Sequence, residues 1–392
     1  MRVFDPTAEY AEIREGVGKV CAAFPGSYWR ELDAKRAYPK EFVDALIREG
    51  YLAAMIPEEF GGSGLNLAAA AVILEEIHRN GCNAAACHAQ MYTMGTVLRH
   101  GSDAQKAEYL PKIADGSLRL QAFGVTEPTS GTDTLALKTT ARRDGDDYVV
   151  NGQKIWISRA EHSDLMVLLA RTTPREEAKS RTDGLSVFLI DLRELRGNGV
   201  EIRPIRTMIN HATTEIFFDN ARIPASSLIG EEGKGFRYIL SGMNSERILI
   251  AAECIGDAKW FLDTASNYAK ERVVFGAPIG QNQGIQFPLA RAYAHMLAAE
   301  AIVYRAANLY DAGENPGVEA NAAKMLAADA SWEAAEACLQ THGGFGFAEE
   351  YDVERKFREA RLYQIAPIST NLILCFIAEQ VLGLPKSYGS RS

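Results

Sequence analysis

Three textures of apolar and polar positions follow one another along the chain. Residues 1–119 carry the spacing of helices. Pro39 to Gly50 opens with a proline suited to a first helical turn, carries Phe42, Ala45, Leu46 and Glu49 at helical spacing, and stops at glycine. Leu67 to Arg79 and Ala84 to His100, rich in alanine and leucine, predict two buried helices. Between these segments, Ile56 to Gly64 is glycine-rich but lacks the Gly-Lys-Ser/Thr ending of a phosphate loop and follows a helix, so it reads as a connector.

At residue 120 the period shortens to that of strands. Leu137–Ala141, Tyr148–Val150, Asp164–Ala170, Leu185–Ile190 and Thr214–Phe218 are strand-like runs separated by Asp, Gly, Asn and Pro. Asn151-Gly152 predicts a hairpin bend between Tyr148–Val150 and Ile155–Ile157. Thr172 to Thr182 is a polar excursion between strands, and the β section closes near Ala221–Ala225. From Gly233 the pattern is helical again. Breaks at Gly276–Gly284, Gly313–Gly317, Gly343–Gly346 and Ala366–Pro367 leave four or five long helices, enough for a bundle. The order predicts an α+β fold in three parts: an all-α domain over residues 1–119, a β domain over 120–230 and an α-bundle over 231–392.

Composition narrows the class. With 47% hydrophobic and 24% charged residues, the 392-residue chain reads as a water-soluble globular protein. Its formal charge of −9 disfavours nucleic acid or an anionic membrane as partner. The six cysteines (Cys21, Cys82, Cys87, Cys254, Cys338 and Cys375) follow no metal-ligand spacing. They read as buried free thiols in a reducing compartment, and no metal site is expected. The first six residues carry neither an apolar signal core nor a transit pattern, and no apolar run reaches membrane-spanning length. The expected location is the cytosol.

Candidate chemistry concentrates in two stretches. Gln121 to Asp133 ends in a Pro-Thr-Ser-Gly-Thr turn, which offers hydroxyls and backbone N–H groups to phosphate or ring-carbonyl oxygens. Asn151 to Ser158 brings an indole and a hydroxyl, Trp156 and Ser158. An aromatic wall beside small hydroxyls suits a flat, hydrogen-bonding heterocycle. His88, His100 and His342 sit in helical text and read as packing residues.

The two stretches together resemble the flavin signature of the acyl-CoA dehydrogenase family, a Thr-Glu-Pro-x-x-Gly-Ser-Asp run followed by Asn-Gly-x-Lys-x-Trp-Ile-Thr/Ser. The resemblance covers essentially the whole chain and implies that family's three-part fold, with FAD as cofactor. It places Phe123, Val125 and Thr126 against the flavin ring, Trp156 and Ser158 beside it, and Thr132, where the family usually has Ser, at both cofactor and substrate. Asn244, in place of the usual Asp, and Arg247 match positions that touch the acyl-CoA. Arg272 and Phe275, then Gln283, then Gln340, Gly343 and Gly344 match segments that reach a neighbouring subunit's FAD. Ser369 and Asn371 match flavin contacts near the C-terminus.

One departure matters. Pro367-Ile368 stands where most members have Glu-Gly, whose Glu is the catalytic base. In the isovaleryl- and long-chain-type branches, a Glu at the position of Glu246 takes that role, which makes Glu246 the candidate base and Glu253, two turns on, a weaker one. The activity implied is FAD-dependent dehydrogenation of an acyl-CoA to a trans-2-enoyl-CoA in a homotetramer, a dimer of dimers, reoxidised by an electron-transferring flavoprotein. The rivals are a flavin oxidase or monooxygenase on the same fold, and a non-catalytic binding relative. The last would want a basic face and an extra C-terminal region.

Overall fold

A computed structural model describes residues 8–387. The chain divides into two compact units, each built from separated segments: Met1–Asp33, Asn66–Ala84 and Asn244–Ser392 in one, Ala34–Leu65 and Ala85–Met243 in the other.

The second unit is organised by a sheet of eight strands: β1 (Leu120–Gly124), β2 (Thr140–Asp144), β3 (Asp147–Ser158), β4 (Leu165–Arg171), β5 (Leu185–Asp191), β6 (Val200–Pro204), β7 (Thr213–Pro224) and β8 (Leu228–Ile229). They lie in the order β6-β7-β3-β2-β4-β5-β8, with β1 running parallel beside β4. Strand alternation sorts β4 into two faces. Met166, Leu168 and Ala170 join Tyr148, Val150 and Phe188 in one cluster. Leu165, Val167 and Leu169 join Leu120, Val187 and Leu189 in the other, together with Met94, Val97, Leu110 and Ile113 from two N-terminal helices. Burying each such side chain stabilises the fold by roughly 1.5–3 kcal/mol, which is why β4 is an almost unbroken apolar run.

The expected hairpin at Asn151-Gly152 is not formed. Asp144 of β2 pairs with Asp147 of β3, so the bend is Gly145-Asp146, with φ +62° at Gly145. A Gly-Asp pair is itself a two-residue hairpin signal. Asn151-Gly152 instead lies inside β3 at a bulge against β7. A Cβ on Gly152 would come within 2.6 Å of the Thr139 hydroxyl, so this glycine serves close approach rather than turning. The predicted strand at Leu137 also starts late, at Thr140, because the N–H groups of Lys138 and Thr139 donate to the Glu127 carboxylate (2.6 and 2.9 Å) rather than to a ladder.

Helices are α1 (Ala11–Ala22), α2 (Gly26–Lys35), α3 (Lys40–Arg48), α4 (Leu67–Arg79), α5 (Ala85–His100), α6 (Asp103–Ala114), the one-turn α7 (Leu192–Leu195), α8 (Gly235–Glu271), α9 (Gln283–Asp311), α10 (Gly317–His342), α11 (Val353–Leu362) and α12 (Thr370–Phe376). In the first unit α4 is capped twice. Asn66 accepts from the Ala69 N–H, and the Asp311 carboxylate, on the last turn of α9, accepts from Leu67 and Ala68 (2.8 and 3.0 Å). A negative charge at a helix N-terminus is favoured by both hydrogen bonding and the helix dipole. Two buried ion networks tie these helices together. Glu75 of α4 meets Arg14 at 3.0 Å and Lys259 at 2.7 Å, while Asp257 of α8 meets His78 at 2.8 Å and also Lys356. Removing one partner from such a pair would strand a buried charge.

The breaks between the long helices fall where glycine and proline predicted them. The long α8 starts at Gly235, two residues after Gly233 where helical text resumes, and Ser245 is buried in its interior. Five cysteines are buried and free, as expected; Cys375 is free but half-buried.

Candidate functional site

In the sheet unit the two signature stretches are brought together by one lysine. Lys154, fully buried on β3, donates to the Val125 carbonyl (3.1 Å) and to Glu127 (2.8 Å), and the neighbouring Ile155 N–H reaches the Thr126 carbonyl (3.0 Å). The β3–β7 register slips between Lys154 and Ile157, so residues 155–156 bulge. Trp156 adopts φ +61° and leaves its indole 58% exposed. A bulky residue held at positive φ with its ring in solvent is a costly arrangement of the kind found at ligand sites. Ser158 lies beyond the bulge, half-buried and paired with Thr213. Phe123, Val125 and Thr126 are half-buried along the other stretch, and Phe123 meets Tyr92 edge-on at 5.8 Å.

The Pro-Thr-Ser-Gly-Thr turn is partly self-satisfied. Glu127 and Ser130 exchange backbone hydrogen bonds, and the Ser130 hydroxyl donates to the Asp133 carbonyl (2.5 Å). Thr129 and Thr132 remain exposed. An open indole, half-buried Phe123 and free-standing threonines fit the ring and oxygens of a flavin. Sequence reasoning assigned no role to Lys154 or Glu127. The signal was present, since Lys154 continues the inward-facing parity of Tyr148 and Val150 and therefore needed a buried partner. Burial pushes the Lys154 ammonium down to about 8 against the opposing pull of Glu127. Glu127, although itself desolvated, is held below the usual carboxylate range by Lys154 and the Lys138 and Thr139 N–H groups.

In the other unit, α8 carries Asn244, Glu246 and Arg247, all half-buried. Arg247 donates to the Asn244 side chain (3.1 Å), and its Nε is buried with no hydrogen-bond partner. Burial lowers the guanidinium's affinity for its proton, with Glu246 opposing. Glu253 is different: it is fully buried, accepts from the Tyr363 hydroxyl at 2.7 Å and stands 3.6 Å from His78. That neighbourhood makes Glu253 part of the helix packing.

Segments around Arg272 and Gln340 also meet. The Arg272 guanidinium sits over the Phe345 ring at 5.6 Å, and Tyr268 stacks on His342 at 4.1 Å. His342 packs locally, its Nδ1 on the Cys338 carbonyl (2.8 Å). Gln283, Gln340, Gly343 and Gly344 are exposed, and Phe275, at φ +53°, is fully so. The loop before α12 is pinned at both ends. Tyr363 holds Glu253, and Lys324 Nζ donates to the Ile368 carbonyl (3.0 Å). The Ala366 N–H is taken by Leu362, the Ala366–Pro367 bond is cis, and Ser369 caps α12, with Asn371 exposed in its first turn.

A helical and sheet framework carrying this signature defines a flavin-dependent oxidoreductase. Comparison with known proteins makes the class specific. Residues 7–117, 122–221 and 233–382 match the N-terminal, middle and C-terminal domains of acyl-CoA dehydrogenase. Acyl-CoA dehydrogenase FadE12 of Mycobacterium tuberculosis is 35% identical over 387 residues, covering 96% of this chain and 98% of the relative. Among solved structures, a glutaryl-coenzyme A dehydrogenase in complex with glutaryl-CoA is 30% identical, with TM-score 0.90 and coverage of 99% and 98%. Butyryl-CoA dehydrogenase from Megasphaera elsdenii is 29% identical, with TM-score 0.87 and coverage of 97% and 99%. The chain belongs to the acyl-CoA dehydrogenase family, whose members use FAD.

Trp156→Ala should weaken FAD retention about tenfold, the value of one lost aromatic face. The ratio of flavin to protein absorbance after gel filtration measures it, and an unchanged ratio would remove Trp156 from the site.

Proposed function

We propose that this enzyme dehydrogenates an acyl-CoA at its α and β carbons to the trans-2-enoyl-CoA, with Glu246 as the base. The observation that carries the base assignment is the set of carboxylates itself. Pro367 has none to offer, Glu253 is consumed by Tyr363, and Glu246 stands half-buried beside Arg247 and Asn244. Glu246 accepts the α-proton on a carboxylate oxygen. FAD, when bound, supplies the acceptor for the β-hydrogen as hydride. Phe123, Val125, Thr126, Thr132, Trp156 and Ser158 hold the cofactor, with Ser369 and Asn371. Asn244, Arg247 and Thr132 hold the thioester. The Ala366 N–H is occupied and Pro367 has none, so in this reading the thioester carbonyl is polarised either by the Ile368 N–H or by a flavin ribityl hydroxyl alone. In this reading the chain has three domains, at residues 1–119, 120–230 and 231–392.

Anaerobic mixing with a panel of acyl-CoAs tests the activity: flavin bleaching by at least one is expected, and bleaching by none overturns it. Pro367 at the usual base position is the one feature favouring the second reading, a flavin oxidase or monooxygenase. Rapid oxidation of the reduced enzyme by air, rather than by an electron-transferring flavoprotein, would select it.

A homotetramer in the cytosol completes the reading. Fully exposed Phe275 and half-exposed Phe287 and Tyr293 suit a subunit contact, and free cysteines suit a reducing compartment. Arg272, Phe275, Gln283, Gln340, Gly343 and Gly344 then complete the neighbouring subunit's FAD site. Arg272→Ala should release FAD and loosen the oligomer together. Light scattering beside flavin absorbance checks this, and unchanged occupancy would refute the shared site.

A further inference from the structure

Nothing in the cysteine spacing links Cys21 to Cys82, yet the fold brings the two thiols together. Cys21 lies in the last turn of α1, and Cys82 two residues past Asn80, the C-cap of α4. Neither is in a disulfide, and both are buried within the same compact unit. The Cys82 Sγ stands 4.0 Å from the Cys21 carbonyl oxygen and 3.9 Å from that of Phe24. The Cys21 thiol in turn hydrogen-bonds the Cys82 sulfur. Two sulfurs in such contact need only side-chain rotation to reach bonding distance, about 2.05 Å.

The pair has the make-up of a reactive thiol beside a resolving one. The Cys21 hydrogen bond above all, then the Trp29 indole and the cations Lys356 and Arg355, hold the Cys82 thiol below its usual range against burial. Those cations are fixed in place. Arg355 donates to the Gly81 carbonyl (3.1 Å) and Lys356 to the Cys82 carbonyl (3.3 Å). Cys338 and Cys254 are in the opposite condition. Burial pushes the Cys338 thiol up to about 12 and the Cys254 thiol well above its ordinary value, so both keep their protons. The cover over the pair is also thin. Ala22, Ala23 and Asn80 beside it are exposed, which leaves a short path for a small oxidant.

We propose that Cys21 and Cys82 form a redox-active dithiol that reduces hydrogen peroxide and closes into a disulfide. Peroxide is what a reduced flavin yields with oxygen, so this oxidant arises wherever the cofactor meets air. The Cys82 thiolate attacks one peroxide oxygen, the O–O bond breaks, and the departing hydroxide takes a proton as water. Cys82 then carries a sulfenic acid. The Cys21 sulfur attacks the Cys82 sulfur, the S–O bond breaks and a second water leaves with the Cys21 proton. Two thiols have lost two electrons and two protons, and one peroxide has become two waters. The new bond ties the end of α1 to the exit of α4 across 61 residues of chain, on the same two helices that the Arg14–Glu75 ion pair joins. Such a cross-link restrains the unfolded chain. The inference does not depend on the acyl-CoA reading.

The test titrates the reduced holoenzyme with hydrogen peroxide. Thiols counted after denaturation should fall from six per chain to four, and dithiothreitol should restore all six. Peptide mapping without reductant should find one linked pair, Cys21 with Cys82. The oxidised protein should unfold at higher urea concentration than the reduced one, and that difference should vanish in Cys21→Ser and Cys82→Ser. In Cys21→Ser the Cys82 sulfenic acid has no partner and should be trapped by dimedone. The mapping uses wild type, so it decides the matter even where a variant folds poorly. Six thiols surviving peroxide, or a map without the Cys21–Cys82 link, overturns the inference, as does oxidation confined to half-buried Cys375. No thioester turnover enters the experiment, so its failure and failure of the acyl-CoA panel are separate results.

Discussion

Glu246→Gln should bind FAD and acyl-CoA yet reduce its flavin about 10²–10⁴-fold more slowly, the usual loss when a general base is removed. Glutamine keeps the shape of glutamate and its hydrogen bonding, but it cannot take the α-proton. Glu253→Gln should have a small effect by comparison. It accepts from the Tyr363 hydroxyl, and a neutral amide oxygen still accepts that hydrogen bond, though more weakly. Stopped-flow reduction of both variants beside wild type separates the two carboxylates. Full-speed bleaching in Glu246→Gln ends the assignment. A large loss in Glu253→Gln with Glu246→Gln intact would move the base two turns along α8.

The proline at residue 367 sharpens the same experiment. Losing one preorganised donor from an oxyanion site costs about 2.7–4 kcal/mol. The structure narrows where that donor can come from, because the Ala366 N–H closes a turn on Leu362. Lys324 holds the Ile368 carbonyl and so fixes the peptide that follows the proline. A slow wild-type rate that Glu246→Gln slows further would therefore point to the donor missing at Pro367 rather than to the base.

Local pattern made much of this fold legible. The helix Leu67–Arg79 has the predicted bounds, since an unbroken alanine-rich apolar run lies between Asn66, which caps it, and Arg79-Asn80, which ends it. The breaks at Gly276, Gly313, Gly343 and Pro367 are equally local. What local pattern misjudged were competitions. Two Gly-containing turn signals lie within a few residues, and only the strand pairing of Asp144 with Asp147 decides between them. The Tyr363–Glu253 hydrogen bond joins residues 110 apart, and no periodicity encodes that. Short β6 escaped notice because Glu201 and Arg203 face solvent and only Val200 is buried.

Lys154 is the residue whose loss should most damage the cofactor site itself. It is fully buried, it carries the only side-chain tie described between the signature's two stretches apart from backbone bonds, and its partner Glu127 is nearly as buried. Lys154→Met keeps the length but strands Glu127 in the interior with two backbone N–H donors and no cation. Breaking a buried pair in this way costs about 3–5 kcal/mol. Urea denaturation should show that loss, and FAD should elute from the variant. Glu127→Gln in the same chain should recover part of the stability, because no charge is then left unpaired. The pH dependence gives an independent signature. In wild type Glu127 sits below its ordinary range, so its contribution is present above the unfolded carboxylate pKa and lost only as acid titrates the folded group. In the variant Glu127 has lost its cation, and burial raises it, so acid relieves the strain and the gap to wild type narrows as pH falls. On the alkaline side the folded state releases the Lys154 proton near 8, while the unfolded chain keeps it to about 10.4. Between those values the unfolded state binds more protons, and Lys154's contribution to wild-type stability rises with pH. A gap that stays constant from acid to alkali, with FAD retained, would show that this pair does not hold the flavin site together.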